Sequence, residues 1–190
     1  MKKAIVNGRE ISGEAVHFEL DRLVKFYLSH GMKEEEVRAN LPKLTEKALE
    51  QAIGARLLLD RAMKLTLPVS ATDVDAEVRK VIDQVGGEEN YRAALAAQKI
   101  SEEAFREELE KGVRVNMLVN QACAHVADPT EEEVAAFYQA CKAQYVKDGI
   151  QQTLVDVHDE IKDLLRHQAR GRAMDIYIEE LREEATIEYR

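Results

Sequence analysis

The chain has 190 residues, 45% of them hydrophobic and 33% charged, with only three prolines; it is long enough to bury a core without disulfides or metals, and it has the composition of solvent-exposed helices. A net charge of -9, with no basic stripe interleaved with aromatics, argues against a nucleic-acid partner, because affinity for a phosphate backbone rests on lysine and arginine. No apolar run approaches the length of a membrane span, which argues against insertion by a helix.

The first element is a short hairpin, Ala4-Ile5-Val6, Asn7-Gly8, Arg9-Glu10-Ile11, since Asn-Gly tolerates the positive φ that a tight two-residue turn needs. A two-stranded ribbon is marginal alone, and the alternating run Thr186-Ile187-Glu188-Tyr189 offers it a partner, so the two ends of the sequence are expected to meet. Ser12 caps a helix to about Ser29, with Val16, Leu20, Leu23, Val24 and Tyr27 on one face and Gly31 as its stop. A helical stretch from Lys33 is expected to break at Pro42, which lacks a backbone donor. Beyond it Leu44, Ala48, Gln51, Ala52, Ala55, Leu58, Leu59, Ala62 and Met63 keep helical spacing to about Lys64.

Ser70 with Asp73 forms a capping-box pattern before Val74, Val78, Val81, Ile82 and Val85, and Gly86-Gly87 end that helix. A short helix around Tyr91 follows, then one capped by Ser101 that carries Phe105, Leu109, Val113 and Met117. Thr130 with Glu133 caps a helix holding Val134, Phe137 and Tyr138. Residues 146–152 read as a polar linker, and Thr153 with Asp156 opens the longest helix, whose ~46 Å would exceed the diameter of a compact small domain. The fold class is therefore mainly α with a small β-ribbon from the N-terminal hairpin and the C-terminal strand. Its expected division is a helical segment over 1–145, the linker over 146–152, and a long helix and strand over 153–190 that complete the same module.

No catalytic or metal-binding pattern stands out. The five histidines lack ligand spacing, Cys123 and His125 point to different sides of a helix, and neither a glycine-rich phosphate loop nor a nucleophile motif occurs. No cofactor is implied. Cys123 and Cys141 are too few for a disulfide framework and read as buried or half-buried thiols. The cluster Arg166, His167, Arg170 and Arg172 reads as the solvated face of an acidic helix. The opening Met1-Lys2-Lys3-Ala4-Ile5-Val6 turns polar too soon for a signal peptide, so the chain as it stands is expected in the cytoplasm, or outside it if Met1 replaces a removed signal.

The order of elements resembles the SurA-type group of parvulin isomerases and chaperones. Ile5-Val6-Asn7-Gly8-Arg9-Glu10-Ile11-Ser12 is similar to that family's opening strand and turn, and the block from Ala48 to Ala62 to its long helix. Val69 to Asp75, Tyr91 to Leu95, Ser101 to Arg106 and Pro129 to Tyr138 resemble the elements that follow, and Leu154 to Tyr189 the closing helix and strand. The family's parvulin domain is absent, because the segment 146–152 cannot supply its site. The resemblance thus implies an ATP-independent holdase module without rotamase activity, whose partners are unfolded or nascent polypeptides. Two alternatives stand beside it, a helical dimerisation scaffold that exchanges its last helix between copies and a fragment of a full isomerase. Peptide binding is expected at soft or amphipathic side chains that repack around varied sequences, namely Met32, Met63, Met117 and Tyr138.

Overall fold

A computed structural model describes residues 3–190, and the chain divides into two compact units, one of Met1–Leu118 with Ile178–Arg190 and the other of Val119–Tyr177. The expected module boundaries at 146 and 153 do not coincide with this division, which falls inside two continuous helices.

In the first unit, strands β1 (Ala4–Val6) and β2 (Arg9–Glu10) form the hairpin, with Asn7 and Gly8 at φ 50° and 78° as its turn requires. Strand β5 (Ile187–Tyr189) pairs antiparallel with β1 in the register Ala4 to Tyr189 and Val6 to Ile187, so the sheet order is β2-β1-β5. The two ends of the sequence do meet. Ala4 and Val6 are fully buried, whereas Ile5 points to the other face, as the period of two in a strand dictates.

Helix α1 (Gly13–Ser29) begins where Ser12 Oγ accepts from the Ala15 amide, and it ends at Gly31, whose φ of 86° only glycine adopts freely. Its buried or half-buried side chains are Val16, Leu20, Leu23, Val24 and Tyr27, the predicted stripe, and with them the charged Glu19.

Helix α2 (Glu34–Lys64) corrects two expectations. It runs unbroken through Pro42, because Pro42 and Arg38, whose carbonyl would have accepted the missing bond, both face solvent. It also buries more than one face. Leu49, Ile53 and Leu57 are as covered as Leu44, Ala48 and Ala52, whereas Gln51 and Ala55 are exposed. Packing on both α1 and β1, α2 needs apolar residues on more than one side. Ile178 packs over Gly54, at an ordinary contact distance of 3.5 Å from where a Cβ would stand.

Helices α3 (Ala71–Gln84), α4 (Glu88–Gln98) and the start of α5 (Glu102–Ala122) share a cluster of Val74, Val78 and Tyr91, bordered by Ile82, Leu95, Phe105 and Leu109. Ser70 and Asp73 make the reciprocal capping box, whose hydrogen bonds from Ser70 hold the Asp73 carboxyl below its ordinary pKa. Tyr91 meets Phe105 edge to face at 5.7 Å, yet its buried hydroxyl finds no partner among the described residues. A buried donor left unmade costs free energy, so Tyr91→Phe should raise stability by about 1 kcal/mol, seen as a higher urea midpoint with unchanged slope.

The second unit contains the end of α5, helix α6 (Glu131–Cys141), a 3-10 turn at Lys142–Gln144, and most of α7 (Leu154–Glu183). Its core is Val134, Tyr138, Val157 and Ile161, with Phe137, Tyr145, Leu154 and Leu165 packed around them. Segment 146–152 is not a bare linker. Strands β3 (Val146–Lys147) and β4 (Ile150–Gln151) pair across Asp148-Gly149, both at positive φ, so the Asp-Gly signal of a tight hairpin was present in the sequence. Cys123 is buried and Cys141 half-buried, both as free thiols.

Ion pairs tie α7 to the start of α6. Glu131 accepts from Lys162 Nζ at 2.9 Å and from His158 Nε2 at 2.6 Å, while His158 Nδ1 lies 2.9 Å from Asp159 and Arg166 Nε donates to Asp128 at 2.7 Å. Only an imidazolium donates from both ring nitrogens, so the hydrogen bonds to Asp159 and then Glu131 raise the His158 pKa. Hydrogen bonds from Lys162 and then His158 lower that of Glu131. The His158 contribution is therefore complete below about 6.5 and lost as pH rises through the raised value; the Glu131 contribution is present above about 4.5 and lost as pH falls through the lowered one. The melting temperature of wild type relative to His158→Gln should accordingly show its advantage on the acid side of neutrality and lose it in mildly alkaline buffer.

Candidate functional site

Helix α1 is apolar on two sides. Opposite the buried stripe, Phe18 and Phe26 stand 64% and 53% exposed, and at i and i+8 they share an edge with Arg22 between them. Arg22 reaches over the Phe18 ring at 6.0 Å, and its Nη1 donates to both oxygens of the buried Glu19 at 3.0 and 3.2 Å. Phe26 is held between Tyr27, edge-on at 5.5 Å, and His30, whose ring lies 4.1 Å away. His30 is fixed in turn through Nδ1, 2.8 Å from the Phe26 carbonyl.

Beside this edge a groove of about 610 Å³ runs between α1 and α2, with Leu23 and Phe26 as its apolar floor and Arg22, Lys25, Ser29, Lys47 and Gln51 around it. Lys47 Nζ sits 5.8 Å from the Tyr27 ring and donates to its hydroxyl at 3.4 Å. A neighbouring hollow of about 470 Å³, also bordered by Lys47, is lined by Glu46, Leu49, Glu50 and Tyr189. There the Tyr189 hydroxyl and Arg182 Nη2 donate to Glu50 at 3.1 and 2.7 Å, tying the closing strand to α2. A third hollow, about 550 Å³, lies at the far end of α2 among Asn7, Arg9, Arg56, Leu59, Asp60, Met63, Lys64 and Lys111.

The four side chains chosen from the sequence are not gathered at one place. Met63 is 42% exposed and lines the third hollow, with Arg114 Nη1 3.7 Å from its sulfur. Met32 is half-buried in the turn between α1 and α2, and Met117 half-buried on α5; neither lines the three hollows. Tyr138 belongs to the other unit, only 5% exposed, with its hydroxyl donating to the Gln152 carbonyl at 2.6 Å. Phe18 and Phe26 were missed, although two phenylalanines off the buried stripe of α1 were a visible signal.

Among the described residues no group of three histidine, cysteine, aspartate or glutamate side chains could hold a metal ion, and no helix is long and apolar enough to cross a membrane. What this surface offers is wet apolar area beside charge, suited to reversible contact with another polypeptide.

No curated protein matches the sequence. The whole fold is similar to a solved chain of the pair PEB4, a virulence factor, and Cj1289, a periplasmic protein, described as two structurally related SurA-like chaperones of the human pathogen Campylobacter jejuni. The TM-score is 0.57 at 12% identity, over 99% of this chain and 98% of that one. The sequence model of the SurA-like N-terminal domain matches residues 2–121, which takes in the hairpin, α1, the groove and the helices up to α5, and the chain belongs to that family of SurA-like N-terminal domains.

Proposed function

We propose that this chain is an ATP-independent chaperone module that holds unfolded or extended polypeptide, a binding function without chemistry. The observation that carries it is the pair Phe18 and Phe26, exposed on α1 at the edge of an open groove with an apolar floor. A folded protein that leaves two phenylalanines in water forgoes on the order of 1.5–3 kcal/mol apiece, and client side chains laid against them recover part of it. The groove floor stays accessible while its charged rim keeps the chaperone dissolved. Met63 at the other end of α2 supplies a second adaptable contact of the same kind.

Light scattering from an enzyme aggregating on heating tests this directly. Wild-type protein at several-fold excess should suppress the signal, and Phe18→Ser with Phe26→Ser should weaken suppression roughly tenfold in the concentration needed. Because both rings are solvent-exposed, the circular dichroism of the double variant should match wild type. A folded wild-type chain with no suppression at any excess defeats the proposal, and a tight dimer without client affinity in sedimentation would point to a scaffold instead.

A further inference from the structure

The charge around the α1–α2 groove is opposite to that of the molecule. The sequence holds 36 acidic residues against 27 lysines and arginines, yet every charged side chain lining this groove, Arg22, Lys25 and Lys47, is a cation. Arg22 is partly neutralised by Glu19 at 3.0 Å. Lys25 makes no ion pair with the described residues, and Lys47, which also borders the hollow of Glu46 and Glu50, makes none with them either, its Nζ donating to the neutral Tyr27 hydroxyl and lying across that ring. Two ammonium groups without an ion pair among the described residues, one on each helix, therefore line the groove together with Leu23 and Phe26. The acids nearest Lys47 in sequence, Glu46 and Glu50, line the adjoining hollow rather than this one.

Resting on the holdase reading above, we propose that this groove selects extended segments in which an aromatic or aliphatic side chain is flanked by aspartate or glutamate. An extended chain sends successive side chains to opposite sides at ~3.3 Å per residue, so one apolar side chain can enter the floor while carboxylates two residues before and after it, on the same side, reach the two helices. The net charge of -9 repels acidic segments over the surface as a whole, and of the two hollows lined mainly by cations this is the one whose lining holds an aromatic ring, Phe26. Lysine-flanked segments meet like charge at the rim and are rejected there, so specificity comes from repulsion as well as attraction.

Fluorescence anisotropy with the full chain and three labelled peptides tests it, all with a central phenylalanine-leucine pair and differing only in flanks of aspartate, asparagine or lysine. At low salt the aspartate peptide should bind about tenfold tighter than the asparagine peptide, as two exposed charge contacts allow, and the lysine peptide weakest. In ~1 M salt, where the screening length is about 3 Å, the advantage should vanish. Lys25→Glu with Lys47→Glu should invert the order, while Phe26→Ser should weaken all three and keep it. Equal affinity for the three peptides, or an order unmoved by the charge reversal, overturns the selection while leaving the holdase reading intact. No binding of any peptide, together with no suppression of aggregation, overturns both.

Discussion

Val6→Asp should unfold the unit formed by residues 1–118 and 178–190, because it sets a carboxylate at a position with no solvent exposure in the central strand of the β2-β1-β5 sheet. An unpaired buried charge costs several kcal/mol, against a total stability on the order of 5–15 kcal/mol for a typical domain. Val6→Thr keeps the shape and adds one hydroxyl, so its cost should be about 1–3 kcal/mol and leave a folded protein with a lowered melting temperature. The pair separates burial of a charge from burial of a neutral polar group. Hydrogen exchange would place the first loss of protection in β1, β5 and the middle of α2. A Val6→Asp protein that melts like wild type would show that the sheet is not buried against the helices as described.

Ile161→Ala should have the second largest effect, about 2–5 kcal/mol, through the cavity left among Val134, Tyr138 and Val157. Ile161 is fully buried, and the unit it belongs to, residues 119–177, is the smaller of the two, with little core to share the loss. Exchange protection should fall in α6 and the first half of α7. The Tyr138 hydroxyl bond to Gln152, which ties α6 to the chain just before α7, should loosen with it. Leu164→Ala, three residues on and partly exposed, is the control and should cost well under half as much.

Local chemistry made most of the fold legible before any coordinates. Ser12, Ser70, Ser101 and Thr130 each cap the helix they were expected to cap, because a side-chain oxygen beside the first free amides acts within one turn of chain, while at Thr153 the bonds run the other way, its amide and hydroxyl donating to Asp156. The meeting of β1 and β5 was legible because a lone hairpin needs a partner and one other β-prone run was available. Pro42 was misread because the rule against internal proline assumes that the orphaned carbonyl has nowhere to turn, and solvent answers it here. The Asp148-Gly149 hairpin was overlooked because its strands are only two residues each, too short for alternation to show. The break between the two units leaves no mark in the sequence, since α5 and α7 cross it as unbroken helices.

The candidate site was less legible, for a different reason. Methionine and tyrosine side chains have the chemistry for adaptable contact, but binding depends on which face of a helix the rest of the molecule leaves bare. Tyr138 keeps company with Val134 and Ile161, so its amphipathic body fills a core and its hydroxyl is already engaged. Phe18 and Phe26 have no such cover. Both lie off the face of α1 that α2 covers, which the spacing within α1 already shows, whereas the groove that Phe26 lines beside α2 is a fact of tertiary structure.

The antiparallel pairing of residues 4–6 with residues 187–189 has a consequence for biosynthesis. A ribosome adding about 5–20 amino acids per second makes β5 roughly 10–40 s after its neighbour β1. Throughout that interval the nascent chain carries a strand with one bare edge, itself a site where other chains could add. The sheet closes only after residues 187–189 have cleared the exit tunnel, so the chain must itself be sheltered, or fold late, each time it is made.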